Sequence, residues 1–347
     1  MDEKLKEKIR DIHDKYMIVD AHFDLLTYVE MKRALGYKKV IETEFLPDFR
    51  KSGVDVIVCS LYIETVFLPE MGLKKALDQV SALYAEIYES PDKIALCRTY
   101  DDILKSKSEN KLSILLSLEG VDPLTNDLNL LRIFYELGVR MVGITWSRRN
   151  FAADGSHFAN VDEGKKGGLT DFGVQIVKLA EKLGMIVDVS HINDEGFWDV
   201  MKISQKPVIA SHSNCRALAD SMRNLTDEQI KALSDKKGVI GMNVCSSFVS
   251  DKPENGDATH LAEHADYIAK LVGIEHVGLG FDFCDFLRMP AAIEPAVKPA
   301  KTNYDVIKGH KNIGRFTEAL IKLGYSDDEI GMILGGNFLR LYKELLV

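Results

Sequence analysis

The stretch IVDAHFDLL, residues 18–26, decides the fold: an apolar run ends in two side chains that divalent metals favour, His22 and Asp24. The design recurs in SILLSLEG (113–120) with Glu119, in MIVDVSH (185–191) with His191, and in PVIASHS (207–213) with His212. One histidine after a strand says little. Four separate runs that each end in a histidine or a carboxylate point to one cluster. In a parallel barrel the C-terminal ends of all strands meet at one mouth, so residues far apart in sequence can share a site. Three histidines and two carboxylates suit zinc or a similar borderline metal, in numbers sufficient for two ions.

Eight β-like runs extend this pattern: 17–23, 54–61, 112–118, 139–145, 185–190, 207–211, 238–244 and 276–281. They are rich in Val, Ile and Leu and nearly continuous, as strands buried on both faces are. Amphipathic helical patterns fall between most of them, at 73–90, 128–138, 170–184, 226–238 and 260–273. Thr170 or Asp171 caps the third helix and Gly184 ends it, while Thr226 opens the fourth. Alternating β and α units read as a (β/α)8 TIM barrel, here a single domain over 1–347. A doubly wound open sheet uses the same alternation, but it would gather its ligands at one switch point rather than over many strands. Residues 146–169 and 283–312 are irregular, the second with Pro290, Pro295 and Pro299, and both follow strands. They predict long loops over the barrel mouth that shape a pocket. The segments GRFTEALIKLG and SDDEIGMILGGNFLRLYKELL read as closing helices.

Composition agrees with a soluble globular protein: 347 residues, 46% hydrophobic, 28% charged, net charge -9. An acidic chain lacks the basic face that nucleic-acid phosphates require, and Arg148–Arg149 is too short to supply one. The first residues, MDEKLKEKIRDIHDKY, have no apolar core of a secretory signal, and no run of 18 apolar residues spans a membrane. Cys59, Cys97, Cys215, Cys245 and Cys284 are scattered and odd in number, which reads as free thiols in a reducing cytoplasm.

With a strand period of two, His22 and Asp24 point to the same face. Glu119 ends a buried run, where a carboxylate needs a partner; its two oxygens make it the natural bridge between two cations. Asp188, in VDVSH, reads as a supporting or structural carboxylate. Asp282, in HVGLGFDF, emerges after Gly278 and Gly280, which let the backbone crowd, and stands as a sixth ligand or a proton shuttle. Arg223, in DSMRNLTDE, sits eleven residues beyond His212, where a guanidinium could fork onto a substrate carboxylate or simply face solvent. His13, His157, His260, His264, His276 and His310 receive no role; the i,i+4 pair His260/His264 reads as an exposed or packed helix face.

The ordered set HFD, SLEG, GLTDFG, DVSH, ASHSN, RNLTD, GLGFDF and GGNFLR runs over nearly the whole chain. It resembles the membrane (renal) dipeptidases and their bacterial relatives, a peptidase branch of the metal-dependent amidohydrolase barrels. The resemblance implies a two-zinc site, with His22, Asp24 and Glu119 on one ion and Glu119, His191 and His212 on the other. Mn, Co or Fe would also suit these ligands. It further implies Asp282 as catalytic acid/base, Arg223 as the substrate-carboxylate arginine, a dipeptide substrate with L-L or L-D stereochemistry, and a homodimer as an allowed assembly. Trp146, in GITWSRR, stands where the renal members carry a substrate-contacting histidine, and it cannot relay a proton. DFCD replaces the usual DFDG, bringing Cys284 to the mouth. Two other readings keep the same ligands: hydrolysis of N-acyl-amino acids or lactones, and a metal-binding barrel without turnover.

Overall fold

The computed structural model describes residues 3–158, 164–287 and 303–347. Nine strands form one parallel sheet: β1 (Ile18–Phe23), β2 (Val54–Leu61), β3 (Ile94–Leu96), β4 (Leu112–Glu119), β5 (Val139–Gly143), β6 (Ile186–Asp188), β7 (Val208–Ile209), β8 (Ile240–Met242) and β9 (Val277–Leu279). Eight of them run in the order β7-β6-β5-β4-β2-β1-β9-β8. The two ends of that row meet through a parallel bridge between Ala210 and Ile240. There Ala210 N–H donates to Val239 O at 3.0 Å and Gly241 N–H to Ala210 O at 2.8 Å. The row is therefore a ring with helices outside it, the (β/α)8 barrel expected from the eight runs.

β3 is the addition. It pairs with the first half of β4, whose second half pairs with β5 on the same side. Three residues, IAL, are too short a run to stand out beside eight-residue strands.

Alternation along the strands separates two packing layers. Val56, Val58 and Leu115 point into the barrel with Val19, Ala21, Met141, Ile186 and Ile209. Ile57, Cys59, Leu61, Ile114, Leu116 and Leu118 face the helices. Helix Asn337–Leu345 places Phe338, Leu341 and Tyr342 in the interior layer and plugs the bottom. Both glycines of the last strand region serve this closure. A Cβ on Gly278 would lie 2.4 Å from the Phe338 ring, and one on Gly280 would lie 1.7 Å from Ser211 O.

The helices lie where the patterns place them: Gly72–Glu89, Asn129–Glu136, Asp171–Leu183, Asp227–Asp235 and Ala258–Val272. Thr170, not Asp171, caps the third by accepting from Gly173 N–H, and Gly184 ends it with φ +80°. Thr226 and Gln229 form a capping box on the fourth. The loop after β5 is long, as expected, and its Ser156 N–H donates to His191 O at 2.6 Å, tying it across the mouth. Of the segment 283–312, the three prolines lie outside the described residues. Among the described residues, no helix is long and apolar enough to cross a membrane. All five cysteines are unpaired.

Candidate metal centre

Three imidazoles converge on one carboxylate oxygen. Glu119 Oε1 lies 3.1 Å from His191 Nε2, 3.5 Å from His22 Nε2 and 3.8 Å from His212 Nε2. Asp24 Oδ1 is 4.0 Å and Asp282 Oδ1 3.9 Å from His22 Nε2. Donor atoms of His22, Glu119 and His212 fall within 4.8 Å of one another, as do those of His22, Asp24 and Asp282. All five expected ligands and Asp282 thus reach one site. His22 links both triplets, whereas the resemblance gave that bridging place to Glu119.

The backbone delivers these groups in two ways. Glu119 continues the inward alternation of Leu115 and Ser117 on β4. On β1 the alternation is interrupted: Asp20 pairs with Ile57 but Phe23 with Cys59, so one extra residue bulges on β1. His22 and Asp24 still converge, although by a bulge rather than by a plain period of two. His191 and Asp282 both adopt left-handed backbone, with φ +68° and +55°. Such conformations cost non-glycine residues on the order of 1–3 kcal/mol and concentrate where geometry serves function.

The donor set fits a metal on an observation independent of spacing. Nε2 of His22, His191 and His212, and Oε2 of Glu119, are buried without a hydrogen-bond partner among the described residues. Buried polar atoms are rarely left so. The opposite ring nitrogens of His191 and His212 are held. His191 Nδ1 lies 2.7 Å from Ser147 Oγ, and His212 Nδ1 lies 2.7 Å from Ser211 Oγ. Ser211 donates its hydroxyl proton to Asp188, so it accepts from His212 Nδ1–H and leaves the Nε2 lone pair facing the site. Asp188 therefore supports His212 through Ser211; its other oxygen accepts from Ser190 N–H and Ser211 N–H, both at 2.9 Å. Removing the Ser211 hydroxyl (Ser211→Ala) is expected to weaken metal binding by about 10- to 100-fold without unfolding the barrel, measured with zinc as the probe in competition with a chelator.

Burial dominates the electrostatics. It pushes Asp24 up to about 7, with repulsion from Glu119 adding to it, and Glu119 up to about 7. Asp282 rises to about 8, again by burial first, with Asp24 and Glu119 opposing its charge. His191 and His212 are pulled well below 6.5 by burial and by nearby cations. Above pH 7 His191 and His212 are neutral folded and unfolded, so the carboxylates set their part of the slope. Their folded values lie above their unfolded ones, so the stability they contribute is lost as pH rises through 7 to 8. Chelator-treated protein should melt at a lower temperature at pH 9 than at pH 7. Saturating zinc should abolish that difference, as a thermal melt with and without metal would show.

Arg223, open to a surface reading in the sequence, is only 3% exposed. Among the described residues its Nε has no partner, and Nη2 makes one long bond of 3.3 Å to His212 O. Burial pulls it down to about 10, while Asp282 and Glu119 support its charge. Trp146 packs against Tyr62, Phe158 and His191, with centroids 5.3, 5.4 and 5.9 Å away. It helps line a cavity of about 280 Å³ that also meets Asp24, Glu119, His191, Asp282 and Cys284. A larger cavity of about 450 Å³ lies beside Phe23, Phe49 and Phe283. It meets none of the expected ligands, and its Asp48 and Asp285 are paired with Lys311 and Lys308.

Two groups of the site were not anticipated. His310 is buried, with Nε2 2.7 Å from Asp20 Oδ2, while Asp20 Oδ1 accepts from Phe281 N–H at 2.9 Å and His22 N–H at 3.3 Å. Asn243 donates to Asp282. Three of the other histidines without a role are structural. His13 bonds Ser52 O and Thr317, His276 bonds Gly238 O, and His264 packs inward against Cys215 N–H and Val249 O. His260 stays exposed beside Asp257.

Comparison with known proteins agrees with this geometry. The sequence profile of the membrane dipeptidase family, peptidase family M19, matches residues 6–346. The chain is 31% identical over 273 residues to an uncharacterised Klebsiella pneumoniae protein of the pqqA 5′ region, covering 77% of this chain and 94% of that one. Against human dipeptidase 3 it is 26% identical over 352 residues, covering 98% and 67%. A Rhodobacter sphaeroides metallo peptidase, liganded with a phosphinate mimic of the dipeptide L-Ala-D-Ala, has the same fold at TM-score 0.81 and 24% identity, covering 95% and 99%. The probable dipeptidase PvdM of Pseudomonas aeruginosa gives 0.82 at 22% identity, covering 100% and 99%. With the family profile matched along almost its whole length, the chain belongs to the membrane dipeptidase family, peptidase family M19.

Proposed function

We propose that the protein is a zinc-dependent dipeptidase whose two ions are held by His22, Asp24 and Glu119 and by Glu119, His191 and His212. The observation that carries this reading is the ring of imidazole nitrogens around Glu119, beside the buried Arg223 Nε, all without partners among the described residues. When bound, the ions supply Lewis acidity, polarising a carbonyl and acidifying a water. Asp282 takes the proton of the attacking water and delivers it to the leaving amine. Arg223 forks onto the free carboxylate of the substrate, which restricts the enzyme to short peptides. Trp146, Tyr62 and Phe158 form an apolar wall that excludes water and contacts a substrate side chain. A cavity of about 280 Å³ suits a dipeptide rather than a longer chain. The L-Ala-D-Ala mimic held by the Rhodobacter protein supports including L-D dipeptides among the substrates. Five unpaired thiols fit a reducing cytoplasm.

The carboxylate clamp gives the direct test. Truncating one partner of a buried charge pair costs at least about 2 kcal/mol, roughly 30-fold in binding. Arg223→Ala should therefore raise KM for a dipeptide about 30-fold or more, yet leave KM for the corresponding dipeptide amide nearly unchanged. Equal losses on acid and amide would remove the clamp. Turnover of N-acyl-amino acids but not of dipeptides would move the substrate assignment to that class, with Arg223 in the same role.

A further inference from the structure

We infer that Asn243 is a positioning residue for the reaction and acts through Asp282; the inference rests on the acid/base role proposed for Asp282. Asn243 follows β8, is 0% exposed, and has each polar group engaged. Its N–H donates to Asn214 Oδ1 at 3.0 Å, and its carbonyl accepts from Asn214 Nδ2 at 2.8 Å. Its side-chain Oδ1 accepts from Cys245 N–H at 2.8 Å, and its Nδ2 donates to Asp282 Oδ2 at 2.9 Å.

This pattern fixes which way the amide faces. A backbone N–H must meet an acceptor, so the oxygen belongs toward Cys245 and the NH2 toward Asp282. The reciprocal pair with Asn214, itself 0% exposed, keeps the whole residue from swinging. Asp282 has two oxygens with different surroundings. Oδ2 is occupied by a donor that cannot accept a proton. Oδ1 faces the site, 3.9 Å from His22 Nε2, and accepts a long, weak bond from the Cys284 thiol at 3.6 Å, whose one hydrogen is shared with Asp282 O at 3.4 Å. Asn243 thereby reserves Oδ1 as the oxygen that takes the proton from water and returns it to the amine. It also holds in place a carboxylate whose backbone is left-handed at φ +55°. A carboxylate with a short amide bond on one oxygen and only a weak thiol contact on the other keeps a single orientation, which proton transfer over hydrogen-bond distance requires. Among the described residues, Asn243 is the side chain within 3 Å that does this.

A double-mutant cycle tests the inference on the zinc-loaded enzyme, with one dipeptide, kcat and KM measured separately, and metal content determined for each protein. The four proteins are the parent, Asn243→Ala, Asp282→Asn and the combination. Groups supporting a catalytic centre typically contribute 10- to 100-fold. Asn243→Ala is expected to lower kcat by about that factor, with KM within about twofold and metal content unchanged. In the Asp282→Asn background the same change should have no further effect, because a residue that works only through Asp282 has nothing left to position. A merely structural Asn243 would lower kcat by the same factor in both backgrounds, which would overturn the inference, as would an unchanged kcat in the single variant. Asn243→Ser, which keeps an acceptor for Cys245 N–H, carries the same cycle if the alanine variant does not fold. Near-normal turnover by Asp282→Asn would overturn the acid/base reading itself, an outcome distinct from additivity on top of an inactive Asp282→Asn.

Discussion

Glu119→Gln is expected to leave the protein folded, to reduce bound zinc to at most one ion per chain, and to lower turnover by about a thousandfold or more. Glu119 is the point on which three imidazoles converge, at 3.1, 3.5 and 3.8 Å from its Oε1. A carboxylate offers two anionic oxygens to two cations. An amide offers one neutral oxygen, and its nitrogen has no lone pair to give. Lewis-acid stabilisation of developing charge is worth several kcal/mol, and each 1.36 kcal/mol is a factor of ten in rate. The fold should tolerate the change. In the metal-free protein, burial opposes charge on Glu119, with Asp188 adding to it, so a neutral amide of the same shape removes that cost. The melting temperature of the metal-free variant should equal or exceed that of the metal-free parent at pH 8. Metal content by elemental analysis, read beside the melt, separates a lost ligand from a lost fold. Two ions retained per chain would contradict the bridging role.

The second large effect concerns proton transfer. Asp282→Asn should lower kcat by roughly 10²- to 10⁴-fold, the usual contribution of a positioned general acid/base. Metal content should stay at the parent value, because His22, Asp24, Glu119, His191 and His212 remain. KM should change little, since Asp282 meets the reacting water rather than the substrate carboxylate. Burial raises Asp282 to about 8, by withdrawing the carboxylate from water and setting Asp24 and Glu119 near it. If Asp282→Asn also lost one metal ion, Asp282 would be a ligand, in keeping with its place beside His22 and Asp24.

Much of the site was legible because each ligand is a polar residue that terminates an apolar run. That grammar located His22, Asp24, Glu119, His191, His212 and Asp282, and the barrel topology brought them together. What escaped lacks that signature. β3 is a three-residue strand beside the first half of β4, with no periodicity of its own. The bulge between Asp20 and Phe23 leaves no mark in the sequence, although it decides how His22 is presented. His310 meets Asp20 across 290 positions, and nothing local in KGHKN points to a buried acid. Asn243, in GMNVC, reads like a turn residue after a short strand; its value lies in which neighbour each end of the amide meets. Arg223 looked like an ordinary loop arginine because burial of a loop cannot be read from its composition. Tertiary contact decided each of these cases.

Release of free amine from a panel of L-L and L-D dipeptides, by zinc-reconstituted protein with a chelated control, tests the central claim most directly. The account predicts cleavage that is lost on chelation and restored by zinc, from a preparation holding two ions per chain. No cleavage of any dipeptide, with two ions verified per chain, would contradict it.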